Sequence, residues 1–486
     1  MRRGRRNLCL ASFGKAAKMS LSPLKRSAHY RTRAPIRLAM VSMAAVSLWA
    51  AAGTARFLRF DEVREAIAAF AVSEAVTGEL PDANTWDQWV RRRDREIRGR
   101  IDRGVEDSIS NLILYGTSFT ALPRIEGAEL ALTASQTLSE AARARVRAFA
   151  ASLARPPNNE RMLFAASFLA RRGVAAPAIQ QRLEVNLTRF ASEQRGYRET
   201  LEAINKTYDP GQVLFTRSTL FRERGLSVDT SLLPNFAIED TLRAMLRKGA
   251  LPPGGVRRIA IVGPGLDFTD KRDGFDYYPL QTIQPFAVME AVARLGLGEP
   301  SQLQVTAFDL NPEVIAHLRA VARRGKAGQS YPIQLPRDVN AGWNAEAMAY
   351  WERFGDVIAS GIHALAIPAA LNGQTVARAV AIKPRYAARV EAADLDVVAQ
   401  TMDVPHGAGF DLVVATNILV YYDLFQQGLA KAAIAGIMNP GGILLANHAL
   451  PKEPADQLEY LGRRSVSYSS TSAYGDDVVA YRRKRV

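Results

Sequence analysis

The chain has 486 residues, 48% hydrophobic and 23% charged, a composition that excludes a disordered protein and a length that exceeds one small core. Its net charge of +15 invites a nucleic-acid partner. Twelve of those charges sit in residues 1–56, which hold no Asp or Glu, so the remaining +3 over residues 57–486 excludes a polycationic body and no nucleic-acid partner is expected.

The only cysteine, Cys9, lies in that basic leader, so disulfide, thiolate and cysteine-ligated metal chemistry are excluded from the body. Behind Arg37, residues 38–55 carry no charge and end in Ala51-Ala52-Gly53 and Gly53-Thr54-Ala55, small-residue patterns that suit a signal peptidase. The run falls short of the roughly 20 apolar residues of a spanning helix. Residues 1–56 are therefore expected to be a leader with a signal peptide or membrane anchor, with membrane association through residues 38–55. The body would then be exported or held at the inner membrane. A mis-assigned start, with Met19 the true first residue, would instead give a cytoplasmic protein.

Residues 57–250 read as an all-α domain. A helix-period face runs through Val63, Ile67, Phe70 and Ala71, and continues with Trp86, Trp89 and Ile97. The mixed charges Arg91-Arg92-Arg93-Asp94-Arg95-Glu96 fit a solvated helix face. Further helices are expected near 112–120, stopped by Pro123, then over 135–154, around Phe164 after the Pro156-Pro157-Asn158-Asn159 break, over 177–205 and over 238–246. The cluster Pro252-Pro253-Gly254-Gly255 reads as a domain boundary.

Residues 251–486 change to alternating strands and helices, the pattern of a doubly wound α/β domain with a mostly parallel sheet. Strands are expected at 258–262, 304–308, 395–400, 410–416 and 443–446, with added strands within 376–390. Helices are expected at 285–295, 312–323, 345–360 and 424–438, and Asn439-Pro440-Gly441-Gly442 reads as a turn.

Four features carry chemistry. The first strand runs into Gly263-Pro264-Gly265, where glycines allow a tight turn and close approach of backbone amides to a ligand. Phe268 occupies the third glycine position of the dinucleotide fingerprint, which counts against a nicotinamide or flavin enzyme. Asp309, followed by Leu310, ends the second strand, where a carboxylate can accept the ribose hydroxyls of an adenosine; Asn311 before Pro312 already supplies a helix cap. Met402-Asp403 follows the expected strand at 395–400, placing an acid for the adenine amine beside an apolar neighbour. Lastly, Phe410 to Val414 leads through Thr416 and Asn417 to Tyr421-Tyr422-Asp423.

In that order, with Pro440-Gly441-Gly442 following, these features resemble the class I S-adenosylmethionine-dependent methyltransferases, over about residues 257–450. The stretch from Asp411 to Asp423 is similar to the chemotaxis-receptor methyltransferases. The resemblance implies S-adenosylmethionine as cofactor: Gly263, Pro264 and Gly265 at its methionine end, Asp309 and Leu310 at the ribose, Met402 and Asp403 at the adenine, and Thr416 and Asn417 lining the reaction cleft. It implies a small-molecule or protein acceptor and names no catalytic group. No metal is expected, because His363, His406 and His448 lack ligand spacing.

Two departures stand out. About twenty residues separate Gly265 from the next helix, against roughly 2–6 in an ordinary connection. This aspartate- and tyrosine-bearing insertion suits a lid over the cleft or a surface loop packed by its own aromatics. The helical N-terminal region matches nothing in the family. The cofactor is made in the cytosol, so an exported body favours the alternative of a non-catalytic protein with a degenerate methyltransferase-like binding domain.

Overall fold

A computed structural model describes residues 54–71, 80–154, 159–204, 220–221, 224–269, 274–405, 407–452, 456–472 and 474–485. The expectations placed on residues 1–53, on His406 and on the Pro156-Pro157-Asn158 break lie outside the described residues. Among the described residues, no single helix is long and apolar enough to cross a membrane.

Alternation along the central strands fixes the architecture. In β2 (Arg258–Val262), Ile259 and Ile261 face one hydrophobic core while Ala260 and Val262 face another. The same split separates Leu412 and Val414 from Val413 and Ala415 in β9 (Phe410–Ala415). With both faces apolar, the strands must be covered on both sides. They belong to a seven-stranded sheet of order β11-β12-β10-β9-β2-β3-β7, where β3 is Gln304–Asp309, β7 Val390–Asp394, β10 Met438–Ala446, β11 Leu458–Ser467 and β12 Gly475–Arg483. The pairings β7–β3–β2–β9–β10 are parallel, and β12 runs antiparallel to both of its neighbours. The strand order reverses between β2 and β9, so a crevice opens there at the carboxyl ends.

The two faces are covered by different parts of the chain. Helices α1 (Phe60–Ala71) and α2 (Trp86–Gly99) share one core with the last helix, Leu424–Ile437. Trp89 meets Phe425 there, with ring centroids 5.5 Å apart. The core on the other face takes in α3 (Ile101–Tyr115), α4 (Glu140–Ala154), α5 (Glu160–Arg171), α6 (Ile179–Ile204), α7 (Leu233–Arg247), α8 (Gln284–Arg294) and α9 (Pro312–Lys326).

Two expectations are corrected by this packing. The described part of residues 57–250 is largely helical, as its periodicity indicated, but it is not a separate all-α domain. Ala52–Val486 closes into one compact unit, and a single core joins Val105, Leu187 and Leu242 to Ile259 and Leu412. The Pro/Gly cluster at 252–255 is a turn inside that unit. The short strand β1 (Ala55–Phe57) pairs with β8 (Gln400–Met402), tying the start of the described chain to a loop near its far end.

Local details differ as well. The expected strand at 395–400 is a turn, because the Asp396 carboxylate accepts from Val398 N at 2.9 Å and its carbonyl accepts from Ala399 and Gln400 N. The helix expected over 345–360 is α10 (Ala345–Arg353), which stops before Gly355 at φ +95° and gives way to β5 (Ala359–Ile362). Strand β5 belongs to a small antiparallel sheet with β4 (Tyr331–Asp338) and β6 (Thr375–Ile382). Residues 439–442 bulge within β10 rather than preceding it. A short turn of helix, α11 (Pro384–Ala387), leads into β7, and Leu424–Ile437 is α12.

Candidate functional site

A cavity of about 470 Å³ lies over the strand-order reversal, within the 300–1,000 Å³ typical of small-molecule sites. Its floor is the carboxyl ends of the parallel strands: Val262 from β2, Phe308 and Asp309 from β3, and Thr416 just beyond β9. Of the residues expected from the sequence, Gly263, Gly265, Asp309, Leu310, Thr416 and Asn417 line it. Pro264 is buried between its two glycines and does not.

Asp309 is the one acid on the floor. Its position is set by the end of β3, and its Oδ1 accepts from Asn311 N at 2.8 Å. Burial pushes its carboxyl up to about 6, against hydrogen bonds from the backbone N–H groups of Asn311, Gly265 and Leu310 that pull it down. The Asn311 side chain turns the other way and caps α9 through Glu313 N, so cap and site acid are separate residues.

The glycines are required by the packing around the turn. Gly263 (φ +66°) and Gly265 (φ +61°) both occupy left-handed backbone. A Cβ on Gly263 would come within 2.1 Å of Ile418 Cδ1, and one on Gly265 within 2.6 Å of Val228 O. The turn is glycine because the chain on either side presses against it. Asn417 holds a left-handed conformation too (φ 62°), one that asparagine tolerates better than other side chains. Its N–H donates to Asn447 Oδ1, and Gln284 Nε2 donates to Thr416 Oγ1 at 3.2 Å, which fixes the turn after β9.

The expected adenine acid is not in the site. Met402 is buried in β8, and Asp403 is exposed, its carboxylate accepting from Arg56 Nε at 2.8 Å. Leu395 and Val397, from the turn after β7, occupy that end of the cavity instead. Strand β7 does end on an acid, Asp394, in register with Asp309, but Arg98 from α2 holds it at 2.8 Å. Asp396 is fully buried, with Oδ2 unpartnered, and burial pushes its carboxyl up to about 7.

The long insertion after Gly265 is pinned rather than hinged over its described residues. Arg161, itself buried, donates to the carbonyls of Asp267, Phe268, Asp276 and Tyr278. Asp276 in turn accepts from the N–H groups of Thr117 and Ser118.

Apart from Tyr421, the cover comes from residues that the sequence did not single out. Residues 224–231 run along the cavity, with Leu266 N donating to Val228 O at 2.7 Å and Thr230 N to Leu266 O at 2.9 Å. Tyr421 and Tyr474 complete the rim. Of the Tyr421-Tyr422-Asp423 group, Tyr422 is buried and Asp423 caps α12 through Gln426 N. Among the described residues no cluster of His, Cys, Asp and Glu forms a metal site. His448 is bonded to Gln427 and His363 is exposed.

No protein-family model and no curated protein sequence matches the chain. Solved structures match it in part. TrmN from Thermus thermophilus is 13% identical, covering 51% of this chain and 52% of its own, with a TM-score of 0.24, so the match spans about half of that protein. Magnesium protoporphyrin IX methyltransferase ChlM from Synechocystis PCC 6803 is 11% identical over 59% of this chain and 97% of its own (TM-score 0.24); its structures hold SAM or SAH. The S-adenosylmethionine-dependent methyltransferase SibL is 13% identical over 66% and 78% (TM-score 0.25).

Proposed function

We propose that the chain is an S-adenosylmethionine-dependent methyltransferase acting on a small-molecule or protein acceptor. One observation carries this reading: a carboxylate at the end of β3, beside the strand-order reversal, faces a cavity with apolar side chains next to it. Asp309 offers acceptors for two ribose hydroxyls, and Leu310, Leu395 and Val397 offer a slot for a flat ring. Thr416 and Asn417 leave polar groups where the reacting end would lie.

When bound, the cofactor supplies an electrophilic methyl group on a sulfonium. The protein's part is to position both reactants in line and to exclude water, which suffices when the acceptor arrives deprotonated. The turn after β9 is tied for that task to Asn447 and Gln284.

The test is calorimetric titration of the folded protein with S-adenosylhomocysteine. Saturable binding supports the reading. Absence of heat at high ligand concentration would end it, and would favour a non-catalytic binding module instead.

A further inference from the structure

The rim of the cavity carries a cation that the proposed cofactor does not account for. Arg224 lines the cavity, and its guanidinium lies against the rings of Phe221 (5.7 Å) and Tyr421 (5.8 Å). Its Nε is buried with no hydrogen-bond partner, and among the described residues it makes no ion pair. Neither neighbouring acid bonds it: Asp107 takes Arg189 on Oδ1 at 2.7 Å and keeps a buried Oδ2 without a hydrogen-bond partner, and Asp229 Oδ2 accepts from Asn111 at 2.7 Å and Ser227 at 3.1 Å. A guanidinium packed on aromatic faces keeps its planar fork of donors in one orientation.

The backbone around it is held in place. Arg100 donates to the carbonyls of Arg224 (2.9 Å), Tyr421 (3.0 Å) and Phe221 (3.1 Å), which locks the loop carrying the guanidinium to both rings. A fixed guanidinium at the cavity wall, with no carboxylate of the described residues bonded to it, points to an anion that arrives with a ligand.

Val228 and Thr230 sit over Gly265, where the methionine end is expected. Arg224 lies four residues earlier, up to about 13 Å away along an extended chain, on the Tyr421 side.

We infer that Arg224 anchors a carboxylate on the methyl acceptor, with Tyr421 as the adjoining wall. This inference rests on the methyltransferase reading. The test titrates the full chain, saturated with S-adenosylhomocysteine, with benzoate and with its neutral isostere benzamide. Benzoate is expected to bind at least tenfold more tightly. Arg224→Gln removes that preference, Arg224→Lys keeps part of it as a charge without a fork, and S-adenosylhomocysteine affinity moves less than threefold in either.

Equal binding of the two probes to the native protein, or a preference that survives in Arg224→Gln, overturns the inference. So does a tenfold loss of S-adenosylhomocysteine affinity in Arg224→Gln, which would put the guanidinium on the cofactor. If Arg224→Gln does not fold, the native comparison and Arg224→Lys decide. A native protein that takes no S-adenosylhomocysteine refutes the methyltransferase reading itself; the benzoate preference, measured without it, then still tests the anchor.

Discussion

Replacing Asp309 by Asn tests the site at its centre. The carboxylate would accept two hydroxyl donors, and hydrogen bonds to a charged group contribute about 1.5–3 kcal/mol each. Asn keeps the volume and one acceptor oxygen, so a loss of about 3 kcal/mol, or roughly 100-fold in affinity for S-adenosylhomocysteine, is expected. The pH profile is a sharper readout than the affinity. Burial holds the carboxyl at about 6, and the hydroxyl donors favour its ionised form. Native affinity should therefore fall about tenfold between pH 7 and pH 5, with proton release on binding in between, whereas Asp309→Asn should show no such slope.

Stability moves the other way. The folded carboxyl titrates above its ordinary value of 3.8, so the free protein binds this proton more tightly than the unfolded chain does. Asp309 then destabilises the fold as pH rises from about 4 through about 6, by on the order of 2–3 kcal/mol at neutral pH. Asp309→Asn should melt higher than the native protein at pH 7 while binding ligand more weakly. A variant that binds within threefold of native, together with a flat native profile between pH 5 and pH 7, would refute the ribose assignment.

Other perturbations separate the remaining claims. Asp403→Asn should leave S-adenosylhomocysteine affinity unchanged and cost under about 1 kcal/mol, because its ion pair with Arg56 is exposed; a tenfold affinity loss in titration would restore the acid to the adenine. Gly263→Ala should destabilise by about 2 kcal/mol or more in urea unfolding, since its φ is +66° and the new methyl meets Ile418. Pairing it with Ile418→Ala should recover the steric share, and strict additivity of the two changes would contradict the contact. Arg161→Met strands carbonyls that this guanidinium now satisfies. A loss of about 3–5 kcal/mol in the same assay is expected, and a change under 1 kcal/mol would show that the insertion is held some other way.

Where the chemistry is local, the residues alone located it. The Val- and Ile-rich strands, the glycine turn after the first of them, the acid ending the second and the cap of Asn311 before Pro312 each follow from neighbours a few positions away. β2, β3, the turn between them and the cap stand in the structure as expected, because apolar runs, glycine's freedom and helix capping act within a few residues of chain.

The third strand shows where locality ends. Leu395, Val397 and Val398 have the composition of a strand, but the side chain of Asp396 closes them into a turn, which shifted the adenine acid to the wrong place. Nothing near Asp394 or Asp403 reveals their fates, since the partners are Arg98, 296 positions away, and Arg56, 347 positions away. The same holds for the cover. Residues 224–231 carry no ligand signature of their own, and reach the cavity only because the helices before them pack on the sheet instead of forming a domain apart. Local sequence thus determined the strand-end floor and its acid, whereas the walls, the anchoring cation and the neutralised acids were decided by burial of both sheet faces against distant helices.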